Sequence, residues 1–365
     1  MTRASVIENR NSDQTNPVES LFATRVWLEL WLKSFGGAES GWWRAPPRDA
    51  GSVEIAYRVE TRRVGPFQLR VATAAANSHS PRFDVCGNTP PRAEDLQRMM
   101  RQLRVAALVF HYIPGSARLA HAVEHAGRAL ASHRDFCEAA PFVDCTGDFE
   151  HYLNGRGKTR KTWLYYERRA EKAGATFENL TDWHDVAANF EEILAVEASG
   201  WKGEGGTSIA QDAPQREFYA KLCEELARRG SLRVFLLRCD AKILAFQICT
   251  LYAGTLSCLK IGFLEDFAKE SPGQVLQLHI VRWAFAQPSI QLFDMLGPES
   301  ETKLKWATGV ENLYTYYVFR SGLRGAIARF RWQAGPKIKA RLRRTDKQYG
   351  KPGQELVADD DSAAR

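Results

Sequence analysis

The run from residue 275 to 285, VLQLHIVRWAF, is apolar around nearly the whole circumference of a helix, and it lies between two β-rich segments, TLSCLKIG (255–262) and IQLFDML (290–296). A helix with so little polar face has to be buried, and strands on either side of it in sequence supply the surface to bury it against. The same alternation of strand and helix patterns runs through the chain. It places the protein in the α/β (α+β) class, with mixed central sheets flanked by helices.

Residues 1–20 carry Asn, Ser, Thr and charge without periodic apolar positions and read as a disordered N-terminus. Ordered structure is expected from Leu21, where Leu21, Phe22, Val26, Trp27, Leu30, Trp31 and Phe35 recur at helical spacing up to Gly36-Gly37. Strands follow at 53–59 and 67–72, a helix at 92–103, a strand at 105–112, a helix at 115–131 and a short strand at 139–146. A long helical segment, 148–172, separates this half from a second one. There the pattern predicts helices at 185–200 and 213–229, a meander of strands at 232–239, 242–252 and 255–262, a helix at 271–287, a strand at 290–296, a helix at 300–307 and a strand at 313–319. The division is therefore drawn as a first lobe over 21–150, a second over 151–325, and a basic helix with a flexible tail over 326–365.

Lys and Arg number 50 against 43 Asp and Glu, and the excess is local, in 156–172 and 320–347. Such runs suit nucleic acid, anionic lipid or a phosphorylated substrate, and equally a solvated helix face. Peripheral membrane contact through the helix at 323–345 is one expectation, with Phe330, Trp332, Ile338 and Leu342 as a thin apolar stripe. No stretch reaches the ~18 apolar residues of a spanning helix, and the polar first twenty residues lack the apolar core of a secretory signal, so a cytoplasmic location is expected. Seven cysteines without a CxxC pair read as reduced, mostly buried thiols, and the eight histidines lack companion motifs, which disfavours hydrolysis and metal chemistry. GKTR at 157–160 lacks the upstream Gly of a phosphate-binding loop.

Three places can carry chemistry. Ser271-Pro272-Gly273-Gln274 reads as a capping box with Pro at the first helical position, and a helix start after a strand, unshielded at Gly273, offers N–H groups and positive potential to an anion. The alternative is a well-capped helix without a ligand. Asp294 closes a buried strand before Gly297-Pro298, where a partly desolvated carboxylate suits a general base, or else pairs with Lys303 or caps the next helix. Glu197-Ala198-Ser199-Gly200-Trp201-Lys202-Gly203 joins a helix to a glycine-rich loop and reads as a lid or substrate wall, or a plain connection.

Taken together, LFATRVWLELWLKSFG (21–36), AAPFVDCTGDFEHYL (139–153), RGKTRKTWLYYERRAEKAG (156–174), EASGWKG (197–203), KESPGQVLQLHIVRWAF (269–285) and FDMLGPESETKLKWA (293–307) resemble the bacterial GNAT-fold acetyltransferases named for an association with cellulose biosynthesis (CelD-like). Those are relatives of the Fem-type aminoacyl transferases that build peptidoglycan cross-bridges. The resemblance covers roughly 20–325 and implies tandem GNAT-like lobes with the acetyltransferase lobe second. It implies acetyl-CoA or another acyl-CoA as co-substrate and no metal. Of the superfamily signature, Gln or Arg, two residues, Gly, one residue, Gly or Ala, the stretch Glu270 to Val275 keeps only the first Gly.

By this resemblance Ser271, Gly273, Gln274 and Val275 contact the pyrophosphate. Leu256–Gly262 becomes the splayed strand whose backbone polarises the thioester. Asp294 is the base with Glu197 in reserve, and Trp201, Lys202, Lys303, Lys305 and Trp306 line the acceptor side. Thr302 stands where relatives carry a Tyr. The function implied is acyl transfer to an amine or hydroxyl of a small molecule or glycan precursor, a sugar or polysaccharide precursor among them. Two alternatives stay open: aminoacyl transfer from aminoacyl-tRNA to a cell-wall precursor, and a non-catalytic scaffold in polysaccharide biosynthesis.

Overall fold

The computed structural model describes residues 8–9, 19–47, 51–199 and 209–334. Most of the 1–20 segment, the loop bearing Trp201 and Lys202, and the chain beyond 334 lie outside the described residues. The strands are β1 (Glu8–Asn9), β2 (Ser40–Arg44), β3 (Val53–Val64), β4 (Phe67–Ala74), β5 (Cys86–Gly87), β6 (Ala107–Pro114), β7 (Ala131–Asp144), β8 (Thr176–Leu180), β9 (Leu232–Cys239), β10 (Lys242–Tyr252), β11 (Thr255–Phe263), β12 (Leu292–Asp294) and β13 (Gly309–Phe319). The helices are α1 (Arg25–Phe35), α2 (Ala93–Gln102), α3 (Arg118–His125), α4 (Phe149–Asn154), α5 (Lys158–Lys172), α6 (Trp183–Ala198), α7 (Ala213–Arg228), α8 (Pro272–Phe285), α9 (Glu301–Trp306) and α10 (Leu323–Arg329).

All thirteen described strands belong to one mixed sheet flanked by helices, in the order β2-β3-β4-β6-β13-β7-β12-β11-β10-β9-β8, with β1 beside β13 and β5 beside β3. The first-half and second-half strands meet where β12 pairs antiparallel with β7, Phe293 opposite Val143 and Asp294 opposite Phe142. Strand β13, grouped with the second lobe by sequence, crosses back and fills the gap between β6 and β7. Its burial explains the crossing: Leu313, Tyr316 and Val318 are buried, and a strand of that kind needs a neighbour along each edge. The expected short strand at 139–146 is the end of the longer β7, whose polar first half is held by β13 from 170 or more residues downstream. The expected single helix over 148–172 is two, broken before Gly157 in the left-handed region (φ 54). Likewise the helix expected over 115–131 stops at His125.

Apolar packing also joins the two halves. Helix α1 presents Trp27 and Phe35 to Phe218 of α7, at ring separations of 6.1 and 4.9 Å. The buried cluster around them runs from α1 and β6 into α6, α7 and β10. A second cluster encloses α8, whose Val275, Leu276, Leu278, Ile280, Val281 and Ala284 are buried, as its all-round apolar sequence requires. Each such aliphatic side chain larger than Ala contributes about 1.5–3 kcal/mol. Arg282 of α8 makes a two-pronged ion pair with Glu167 of α5 (2.6 and 3.2 Å), which sets how α8 lies on the sheet. At the C-terminal end, Trp332 packs on Tyr317 and Phe319, whereas Phe330 is 62 % exposed. No helix among the described residues is long and apolar enough to cross a membrane.

Candidate functional site

Strand β11 runs parallel to β12 for three residue pairs only, Thr255 with Leu292, Leu256 with Phe293 and Ser257 with Asp294. Beyond these β12 ends, while β11 continues to Phe263 paired on its other side with β10. From Cys258 onward β11 therefore faces a space that β12 does not fill. That space is a cavity of about 490 Å³, walled by this part of β11, by the start of α8, and by the turn from Met295 to Trp306. A cleft of this size where neighbouring strands part is a common place for a small-molecule site.

The start of α8 supplies one wall through Ser271, Pro272, Gly273 and Gln274. Ser271 does not form the expected capping box. It adopts the left-handed conformation (φ 51, ψ 47), from which its hydroxyl makes no cap bond, since a capping side chain reaches the first turn from extended backbone. Its carbonyl oxygen accepts instead from the amides of Gln274 (2.9 Å) and Val275 (3.1 Å). Pro272 has no amide hydrogen, and Gly273 N–H is left without a backbone partner among the described residues. The Val275 side chain is 1 % exposed and belongs to the core, outside the cavity wall.

Opposite lies the turn after β12. Leu296 is also left-handed (φ 45), followed by Gly297 (φ 64), so strained backbone borders the cavity on two sides at a cost of about 1–3 kcal/mol per non-glycine residue. Lys303 Nζ reaches back to donate to the carbonyls of Leu296 and Pro298, closing this turn. Burial lowers its pKa, opposed by Cys258, Glu138 and Asp294. Thr302 lines the cavity beside it. Trp306 forms part of the floor, stacked on Trp163 at 3.5 Å with planes 5° apart. Lys305 stands outside, half-exposed and paired with Glu301 at 2.9 Å.

The two proposed acids are both buried, and neither lines the cavity. Asp294 accepts from Arg82 Nε (2.7 Å) and from the amide of Leu296 (3.0 Å), and it borders a smaller space of about 70 Å³. Its partner is thus Arg82 and not Lys303, and the next helix is capped by Ser300. Glu197 stands behind β11, where Oε2 accepts from the amide of Ile209 (2.9 Å) and Oε1 lies 3.7 Å from Lys260 Nζ. Trp201 and Lys202 lie outside the described residues.

Several cavity residues did not stand out in sequence. Gln247 is 3 % exposed in the mostly apolar β10 and donates to Gln277 Oε1 (2.7 Å). Cys258 Sγ donates to Gln247 Oε1 at 3.4 Å. Gln277 Nε2 is buried without a hydrogen-bond partner among the described residues, an unsatisfied donor on the cavity wall. A glutamine inside an apolar strand, and another inside an apolar helix, were the available signals. Lys260 and His79 complete the wall, and His79 comes from the first half of the chain. Among the described residues no group of His, Cys, Asp or Glu is arranged to hold a metal ion.

Comparison with known proteins bears on this same stretch. Residues 157–304 match the family model described as an acetyltransferase (GNAT) domain. No curated protein matches the sequence. Among solved structures, the C-terminal domain of a candidate lysylphosphatidylglycerol synthetase from Agrobacterium fabrum is 16 % identical, covering 88 % of this chain and 95 % of that one with a TM-score of 0.53. A conserved protein of unknown function from Bacteroides thetaiotaomicron VPI-5482 is 12 % identical over 86 % of this chain and 93 % of its own, TM-score 0.54. FemX is 11 % identical over 82 % and 93 %, TM-score 0.50. Likeness at these identities establishes a shared fold and nothing further.

Proposed function

We propose that the protein is an acyltransferase that takes its acyl group from acyl-CoA, acetyl-CoA being the simplest donor, and passes it to an amine or hydroxyl of a second substrate. The observation that carries this reading is that the parting of β11 from β12, the start of α8 and a buried donor without a partner among the described residues all border one cavity, within the stretch that matches a GNAT domain. The residues suit the donor. Gln277 Nε2 would donate to an amide carbonyl of the donor's arm, and the Gly273 N–H, without a backbone partner among the described residues, would favour a pyrophosphate at the positive end of α8.

Acyl-CoA supplies a thioester whose carbonyl carbon bonds to the acceptor nitrogen or oxygen while the carbon–sulfur bond breaks and the acceptor's proton passes to the solution or the sulfur. The chain's own residues do the rest. The cavity-facing part of β11 would supply backbone donors to the developing oxyanion, and the walls hold donor and acceptor together and exclude water. Lys260, held against Glu197, adds positive potential on the same side. Asp294, locked to Arg82, serves to keep the β12 end and the Leu296 turn in place, so we assign it a positioning role and not that of a base. An acceptor drawn from sugar or polysaccharide precursors agrees with the family resemblance. Calorimetric titration with acetyl-CoA tests the proposal: saturable 1:1 binding is expected, and absence of heat at millimolar ligand overturns it.

A second reading, aminoacyl transfer from aminoacyl-tRNA to a cell-wall precursor, is favoured by the exposed cationic face of α5, formed by Lys158, Lys161, Arg168, Arg169 and Lys172. It predicts tRNA binding that weakens steeply with salt, in place of CoA binding.

A further inference from the structure

His79 lies in the segment between β4 and β5, yet its ring lines the cavity beside Lys260 and the edge of β11. It is clamped from two sides. The ring stacks on Phe35 of α1 at 5.4 Å with planes 9° apart, and Nδ1 lies 3.1 Å from the hydroxyl oxygen of Tyr219 on α7. Tyr219 is 1 % exposed, and Lys260 Nζ sits 5.3 Å from its ring centroid. The Tyr219 hydroxyl has one proton, and its hydrogen-bond partner among the described residues is His79 Nδ1. A buried hydroxyl that kept its proton undonated would cost about 1–3 kcal/mol, so Tyr219 donates and Nδ1 accepts. The ring's own proton then sits on Nε2, the nitrogen without a hydrogen bond among the described residues.

We propose that His79 Nε2–H is a hydrogen-bond donor into the cavity that binds a carbonyl or carboxylate oxygen of the acceptor substrate, with Tyr219 as the positioning residue that fixes the tautomer. The ring must stay neutral for Nδ1 to accept from Tyr219 and so fix the tautomer. Burial pushes its pKa down to about 4, Lys260 of β11 acts in the same direction, and Asp212 before α7 opposes them. At neutral pH the imidazole therefore keeps a single proton. Lys260 beside it raises the preference for an oxygen bearing negative charge. The first half of the chain thus reads the acceptor, while the second half holds the acyl donor. The inference rests on the acyltransferase reading only in naming the cavity's other occupant.

The test uses full-length protein labelled with 15N-histidine. The His79 ring signal is identified by its loss in His79→Gln. We expect the Nε2–H tautomer, no titration between about pH 5.5 and 8, and a shift toward mixed tautomers in Tyr219→Phe. Acetate and acetamide serve as oxygen probes. Either one should move the His79 Nε2–H resonance, with about ten-fold weaker binding in His79→Ala and near-native binding in His79→Gln, whose amide still offers an N–H. The Nδ1–H tautomer, titration inside that range, or an unmoved resonance with both probes overturns the proposal. Titration of the same sample with acetyl-CoA separates the two readings, because loss of CoA binding removes the donor assignment while the His79 tautomer stands or falls by itself.

Discussion

The Arg82 guanidinium and the Asp294 carboxylate, 212 residues apart in sequence, meet at 2.7 Å with side chains only 8 % and 3 % exposed. Arg82 also binds Glu311 at the start of β13, so a first-half cation joins two second-half carboxylates where the halves of the sheet come together. Burial works against the charged guanidinium, but Asp294 and Glu311 together raise the Arg82 pKa, so Arg82 stays charged.

Breaking this triad should be costly, because removal of the cation strands buried charge. Arg82→Met is expected to lower unfolding free energy by about 3–5 kcal/mol, measured from urea midpoints. Adding Asp294→Asn to it should return part of that loss. A midpoint unchanged by Arg82→Met would mean that the triad adds nothing to the strand pairing and apolar packing that join the halves.

Gly262 of β11 lines the cavity. A Cβ there would lie 2.5 Å from Phe246 Cε1 and 3.2 Å from Glu197 Cα, so Gly262→Ala must displace either the Phe246 ring or α6. A loss of about 1–3 kcal/mol in stability is expected, together with weaker ligand binding. Thermal melts and acetyl-CoA titration on the same variant check both parts.

At Gly273 the reverse holds. Among the described residues an added Cβ meets Phe263 at 3.5 Å, an ordinary contact, so Gly273→Glu should fold with an unchanged melting temperature. A carboxylate at the start of α8 suits the helix dipole but opposes a pyrophosphate, so acetyl-CoA should bind at least ten-fold more weakly, about 1.4 kcal/mol. Native affinity in this variant would remove the start of α8 from the site.

Acid should destabilise the protein through two histidines. Burial pushes the pKa of both His79 and His111 down to about 4, against about 6.5 in an unfolded chain. Between those values the unfolded state binds more protons, so stability is full above about pH 6.5 and falls as pH drops toward about 4. Denaturant midpoints measured across that window should slope upward with pH, and His79→Gln with His111→Gln should flatten the slope. An unaltered slope in the double variant would place the acid sensitivity in other groups.

Sequence periodicity was enough for the elements whose signal is local. Helix α1 ends at Gly36-Gly37 as its spacing predicts, and the meander of β9, β10 and β11 falls where the β-rich runs and short turns place it. The α8 core was legible because a helix apolar all round has only one environment available to it. Ser271, Gly273, Gln274, Lys303 and Trp306 do share one cavity, since the strand–helix and strand–turn–helix units that carry them are contiguous in the chain.

Tertiary structure decided what depends on distant partners. Whether Asp294 faces a ligand or a guanidinium turned on Arg82, which arrives from another part of the sheet. The apolar residues of β13 called for a buried strand, but its place between β6 and β7 was set by strand edges far upstream in the chain. His79 looks isolated in sequence, and its proton is placed only by Tyr219, 140 residues away. Propensity and periodicity act over a few residues, whereas burial, charge pairing and tautomer are properties of whatever the fold brings alongside.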